Sequence, residues 1–226
     1  MHPVEPTVEL APWRSPLSRA LHCNRSQAFA RYLQLATVRP NGTPANRTVV
    51  FRGFLGKTNQ LMFITDRRSE KIEQLSGNPH AEACWYFTKT REQFRLTGVM
   101  TLITADTADT TDTANSNGQA NLLSARQQIW QNISANAKIQ FTWPHPKAPR
   151  AEPDAFNPPA PDEHTPDEHT PPPTFCLMLL TVNGVDHLSL RGEPQNRVLY
   201  QRVTPQTNCA ADTSSAAQWE VVSVNP

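Results

Sequence analysis

No run of apolar residues in the chain is long enough to cross a bilayer: the longest aliphatic stretch, FCLMLL over 175–180, is a fraction of the roughly 20 residues a membrane helix requires. An excess of charge of either sign is also lacking. Lys and Arg number 21 against 20 Asp and Glu, so no global field draws in nucleic acid or an anionic membrane, and any anion recognition has to be local. The four cysteines, Cys23, Cys84, Cys176 and Cys209, are far apart and form no CxxC or Cys/His cluster. That spacing suggests neither a metal site nor a disulfide framework and favours a reducing compartment. The opening stretch MHPVEPTVELAPW has neither the basic nor the apolar region of a secretory signal. A soluble, cytoplasmic protein with no membrane and no nucleic-acid partner is therefore expected. Glycine is scarce, at 8 residues, whereas proline reaches 21 and is unevenly placed, so the prolines mark where the fold is interrupted.

What is present reads as mainly β. A length of 226 residues with 38% hydrophobic content suits one domain carrying long inserted segments. SQAFARYLQLA from Ser26, with Ala28, Phe29, Leu33 and Ala36 in helical spacing, predicts a short amphipathic helix. LQLATV and NRTVVFRGFL flank the turn signal RPNGTP and predict a hairpin. LMFIT, AEACWYF and EQFRLTGVMTLIT follow as further strands, and TFCLMLLTV, VDHLSL, RVLYQRV and QWEVVSV resume the pattern late in the chain. Closely spaced strands with short turns indicate an antiparallel sheet or barrel rather than βαβ units. The expected organisation is a first part of the barrel over 1–104, a polar loop over 105–121 and a helical segment over 122–143. A flexible proline-rich insertion over 144–173 and closing strands over 174–226 complete it. His164 and His169 in the repeat PDEHTPDEHT read as part of a solvated polar segment rather than as metal ligands.

The chemistry is concentrated between Arg47 and Gln93. On a regular strand Arg47, Val49 and Phe51 share one face and Thr48, Val50 and Arg52 the other, so alternation sends the two arginines in opposite directions. One ligand meets both only at a bulge, a strand end or a subunit boundary. Next, FITDRRSEK ends a strand in Ile64, Thr65 and Asp66 and starts a helix near Ser69, with Arg67, Arg68 and Lys71 around its N-terminus. Unpaired N–H groups and three cations there call for an anion, most simply a phosphate, the plain alternative being a basic turn offset by Asp66, Glu70 and Glu73. In REQFRLTG, Gln93 shares a strand face with Arg95 and Thr97, and its amide can both donate and accept at a heterocycle edge.

RTVVFRGF, FITDRRSEK, NPHAEACWYF and REQFRLTGV, in that order, resemble the FMN-binding half of the pyridoxamine 5'-phosphate oxidase-like split barrels, over residues 11–103. The closer likeness is to the branch described only as FMN-binding proteins, and RVLYQR with WEVVSVNP again resembles the end of the oxidase. The resemblance implies a homodimeric antiparallel split β-barrel with FMN at the subunit interface. Arg47, Thr48, Val49, Val50, Phe51 and Arg52 would lie along the flavin, and Ile64 and Thr65 would back its ring and ribityl chain. Arg68, Ser69 and Lys71 would take the phosphate, Gln93 the isoalloxazine edge, and Arg197 would approach from the second subunit.

The departures from the vitamin-forming oxidase are as informative. Its phosphate motif Ser-Arg-Lys reads Ser69-Glu70-Lys71, and its substrate-reading Arg-Leu-His aligns with Glu193-Pro194-Gln195. A tryptophan expected near Leu188 is missing. The cofactor motifs are kept while the vitamin-phosphate motif is not. The expectation is an FMN-dependent oxidoreductase acting on an unidentified small molecule, with no assigned catalytic residue; the alternative is a non-catalytic module holding FMN, haem or another flavin-like cofactor. A base-stacking surface built on FRGF and QFRL is the third class, and the charge balance disfavours it.

Overall fold

The Asn41-Gly42 turn does what its sequence demands: Gly42 has φ of 82°, and it closes a hairpin between β1 (Tyr32–Val38) and β2 (Pro44–Val50) with Leu35 opposite Arg47. The chain is a computed structural model, which describes residues 10–109, 116–157, 167, 169–203 and 218–226. The RTVVFRGF stretch is not one strand. β2 ends at Val50, the Phe51 N–H donates to Arg31 O, the Arg52 N–H donates to Met62 O, and a two-residue strand β3 (Gly53–Phe54) then pairs with β4 (Leu61–Asp66). The chain thus changes sheet partner at Phe51-Arg52, and Gly53, at φ 128°, supplies the backbone conformation that the change requires.

Helix α2 (Glu70–Gly77) leads to β5 (His80–Phe87) and β6 (Glu92–Ile103). TFCLMLLTV and VDHLSL form a single fifteen-residue strand β7 (Phe175–Ser189), followed by β8 (Asn196–Arg202) and β9 (Trp219–Val224). All pairings are antiparallel, in the order β2-β1-β5-β6-β7-β4-β3, with β8 on β7 and β9 on β8. The switch at Phe51-Arg52 brings the two ends of this order together as a split barrel. Its interior is apolar at alternate strand positions, with Leu33, Leu35, Phe63, Trp85, Phe94 and Leu96 fully buried.

Two expectations on helices need correction. SQAFARYLQLA gives only one 3-10 turn, Ala28–Arg31, because Tyr32 onward is taken into β1, where tertiary pairing outweighs helical spacing. The N-terminal helix is instead α1 (Arg14–Asn24), which buries Leu17 and Ala20 against the barrel. The helix expected near Leu122 is α3 (Ser116–Asn132), so it begins inside the segment read as a loop; residues 110–115 lie outside the described residues. With α4 (Ala135–Ile139) it covers the outer faces of β4 and β7, where Trp130 meets Phe141 and Phe175 edge-on at 5.7 and 5.1 Å. Arg126, almost fully buried, donates from Nε and Nη2 to Phe175 O and from Nη2 to Pro172 O, fixing the start of β7 to α3.

A second buried polar group lies at the far end of β6 and β7. Glu92 accepts from Arg19 Nη2 at 2.8 Å and lies 3.1 Å from His187 Nε2, while the His187 ring stacks on Phe94 at 4.0 Å. Burial lowers the His187 pKa below the ordinary histidine value despite Glu92, with Arg19 pushing the same way and Asp186 opposing. The native state therefore binds this proton less readily than the unfolded chain. Stability is complete above the unfolded histidine pKa of about 6.5 and declines as pH falls from there to the folded pKa. Urea midpoints measured between about pH 7 and about pH 5 should fall with acidification, and less steeply in His187→Gln; equal slopes would remove His187 from the acid response.

Candidate functional site

A cavity of about 530 Å³ opens on the outside of the seam where β2 gives way to β3. One wall is the stretch Arg47, Thr48, Val49, Val50 and Arg52; a second is Ile64, Thr65 and Asp66 of β4 with Lys71 of α2. The partner switch at Phe51-Arg52 solves the alternation problem within one chain: the strand has ended before Arg52, so both arginines border the same space. Phe51 itself is buried in the barrel, edge-on to Trp85 at 5.0 Å. With Phe94 also buried, and with half-buried Phe54 covered by the Arg14 guanidinium at 3.2 Å, the aromatics interleaved with arginine are engaged within the fold.

The cations differ in how they are satisfied. Arg47 donates to Thr37 Oγ1 at 2.6 Å, to Gln74 Oε1 at 2.9 Å and to Leu35 O at 3.2 Å, all neutral acceptors. Lys71 Nζ donates to Thr65 Oγ1 at 2.7 Å and Ser69 Oγ at 2.9 Å, again without a carboxylate. The Arg52 Nε is buried with no hydrogen-bond partner among the described residues. Burial lowers the pKa of all three, assisted by Arg39 at Arg47, by Arg31 at Arg52 and by Arg47 at Lys71. Three partly desolvated cations around one cavity are the inverse of a stable arrangement unless an anion completes it. An anionic, phosphate-bearing cofactor fits this donor set.

The basic turn at the start of α2 divides differently. Arg67 pairs with Asp106, and Arg68 forks both oxygens of Asp66 and reaches Trp143 O at 2.9 Å. Two of the three cations there thus already have carboxylates, and Arg68 does not line the cavity. Ser69 is the N-cap of α2, but its hydroxyl serves Lys71 and Thr65 rather than the helix N–H groups. Gln93 and Arg197 lie elsewhere. Tyr86, Gln93, Leu188, Arg197 and Val224 form one cross-strand row on β5 to β9, away from the cavity lining. Arg197 is held by Asp186 at 2.6 and 2.9 Å, beside Arg95 and Glu82.

The remaining wall was not legible as such. Ala137 of α4, Gln140 and Trp143 beyond it, then Lys147, Arg150 and Phe156 from the proline-rich segment, close the cavity on the side facing β2 and β4. That segment reads as flexible because of its prolines, but WPHPKAPR differs from the PDEHT repeat in carrying an aromatic residue and two cations, and this was the available signal. His164 lies outside the described residues. Cys176 is no nucleophile: burial pushes its thiol up to about 11, and burial raises Cys84 as well.

Comparison with known proteins identifies the family and the fold. Residues 10–104 match the family described as "Pyridoxamine 5'-phosphate oxidase, FMN-binding domain". The Arabidopsis thaliana protein named pyridoxine/pyridoxamine 5'-phosphate oxidase 2 is 36% identical over 182 residues, 80% of this chain and 85% of its own length. A crystal structure of a pyridoxamine 5'-phosphate oxidase-related, FMN-binding protein from Nostoc punctiforme PCC 73102 superposes with a TM-score of 0.81 at 50% identity, spanning 96% of this chain and 100% of that one. PhzG from Burkholderia lata 383, solved with tetrahydrophenazine-1-carboxylic acid, shares the fold at a TM-score of 0.69 and 16% identity, over 99% and 98% of the two chains. No helix among the described residues is long and apolar enough to cross a membrane.

Proposed function

Since the chain belongs to the pyridoxamine 5'-phosphate oxidase FMN-binding family, we propose that the cavity beside Arg47, Arg52 and Lys71 holds FMN and that the protein is a flavin-dependent oxidoreductase acting on a small molecule. The observation that carries this reading is the set of three half-buried cations, none with a carboxylate hydrogen-bonded to it, that line one cavity. Lys71 and Arg47 are placed to hold the phosphate, with the Ser69 and Thr65 hydroxyls orienting Lys71. The backbone from Thr48 to Phe51 runs along the flavin, and Ile64 with Thr65 backs its ring and ribityl chain. Arg52, with its unpaired Nε, is the cation that stands beside the ring system and stabilises negative charge there. Bound FMN would supply two-electron redox chemistry. No side chain of the cavity is assigned as a general base.

Gln93 and Arg197 enter this site from a second copy of the chain. They sit in one row on one face, separated only by Leu188, and exposed Leu199 and Val222 continue that face over β8 and β9. A homodimer that lays this face against the cavity of its partner covers those side chains and unites the two halves of the site. Glu193-Pro194-Gln195 stands where the oxidase reads its substrate phosphate, so the small molecule is recognised without that motif.

The visible absorption spectrum of the purified protein, with mass identification of what heat releases, tests the cofactor. FMN in stoichiometric yield is expected, and dilution in sedimentation velocity should show a dimer. A colourless protein that takes up no added FMN would overturn the reading. FMN binding with no turnover under any reductant or oxygen would leave a carrier of FMN in place of the enzyme.

A further inference from the structure

We propose that residues 143–156 are a fixed outer wall of the cofactor cavity and that Arg68 is the positioning residue that holds it there. The assignment of the cavity to FMN rests on the reading above; the wall itself does not. The wall is built from its own contacts: Trp143 Nε1 donates to Phe156 O at 3.2 Å, the two rings meet edge-on at 5.8 Å, and the Arg150 guanidinium lies 4.4 Å over the Phe156 ring. At its root, Phe141 packs on Trp130 and Phe175, and its carbonyl accepts from Thr174 Oγ1 at 3.0 Å.

Two ties join this wall to the start of α2. Lys147 pairs with Glu70 at 2.5 Å, but both side chains are at least half exposed, so solvent screens the pair. Arg68 is different. Its Nε and Nη2 bind both oxygens of Asp66 and its Nη2 also donates to Trp143 O, while the Arg68 backbone N–H donates to Asp66 Oδ1 at 2.7 Å. Asp66 ends β4 and itself borders the cavity. A planar fork is needed to hold a carboxylate and a carbonyl together, which a lysine ammonium on its longer flexible stem does not do in one geometry. The cation that looks like a phosphate ligand in the sequence thus works through Asp66 and the wall.

The wall contains two trypsin sites, after Lys147 and after Arg150, and cleavage there requires the local chain to leave its native contacts. In flavin-free protein, Arg68→Ala should be cut at these two bonds about tenfold faster than the native chain, and its holo form should release FMN about tenfold faster. Glu70→Gln should change either rate less than about twofold. Arg68→Lys keeps the charge beside Asp66 while losing the fork, so it serves if Arg68→Ala does not fold, and accelerated cleavage is expected in it too. Native rates of cleavage in the folded variant would overturn the proposal. Because proteolysis is read without flavin, failure of the wall is distinguishable from failure of the FMN reading, which would appear as no flavin uptake by any form.

Discussion

Lys71→Glu is expected to abolish FMN retention, raising Kd at least about 100-fold, while leaving the fold intact. A hydrogen bond to a charged group is worth about 1.5–3 kcal/mol, or about 10–150-fold in affinity, and reversal adds repulsion against a phosphate that carries close to two negative charges. The folded protein has little to lose by the change. Lys71 contacts two neutral hydroxyls, Thr65 and Ser69, and both can donate to a carboxylate as readily as they accept from an ammonium. Arg47 raises the cost of charging Lys71 while Asp66 and Glu70 lower it, so a carboxylate there exchanges repulsion by Arg47 for repulsion by Asp66 and Glu70. Flavin content of the purified variant and a fluorescence titration with FMN measure the effect, with Lys71→Met as the neutral comparator expected near tenfold. Undiminished flavin content in Lys71→Glu would take Lys71 out of the site.

The difference between Lys71 and Arg68 shows how far the sequence could be read. Both sit at the start of α2, and residue type and spacing favour them equally as phosphate ligands. What separates them is Trp143, 75 positions away from Arg68, whose carbonyl completes the Arg68 fork. No local pattern encodes a contact of that separation. The strands were legible because β-branched and aromatic residues alternate along them and because Asn41-Gly42 and the other turn residues punctuate them. The break between β2 and β3 was not, since Arg31 and Met62, which accept from the Phe51 and Arg52 N–H groups, lie outside the motif. The resemblance to the FMN-binding family supplied the cofactor and the barrel, and neither follows from periodicity alone. α1 escaped notice because RSPLSRALHCN carries a proline and few large apolar residues, and its helix depends on docking Leu17 and Ala20 against the barrel.

Gly98→Ala is expected to destabilise the fold by about 3 kcal/mol or more, at the upper end of overpacking costs, and to lower the thermal midpoint by roughly 6–12 °C. A Cβ on Gly98 would stand 2.1 Å from Thr181 O and 2.9 Å from Thr181 C, and these are backbone atoms of β7, where Thr181 pairs with Val99 of β6. Gly184, across the same irregularity, provides the control. Its added Cβ would meet the Thr97 hydroxyl at 2.8 Å and the Gln201 side-chain oxygen at 3.0 Å, and both are ends of side chains that can turn aside. Gly184→Ala should therefore cost less than about 1 kcal/mol. The register shifts between Thr97 and Gly98, where Asn183 has no partner on β6. That bulge falls where β7 exchanges one neighbour for another: Phe175 to Leu180 pair with β4, and Gly184 to Ser189 pair with β8. β4 carries Ile64, Thr65 and Asp66 of the cavity, whereas β8 carries Arg197, away from the cavity lining. A variant that folds despite the clash should bind FMN more weakly, because displacing β7 at Thr181 also displaces the β4 strand paired just before it, although position 98 lies outside the cavity lining. Equal melting points for the two alanine variants would show that the bulge yields, and would remove Gly98 as a steric requirement of the β6–β7 pairing.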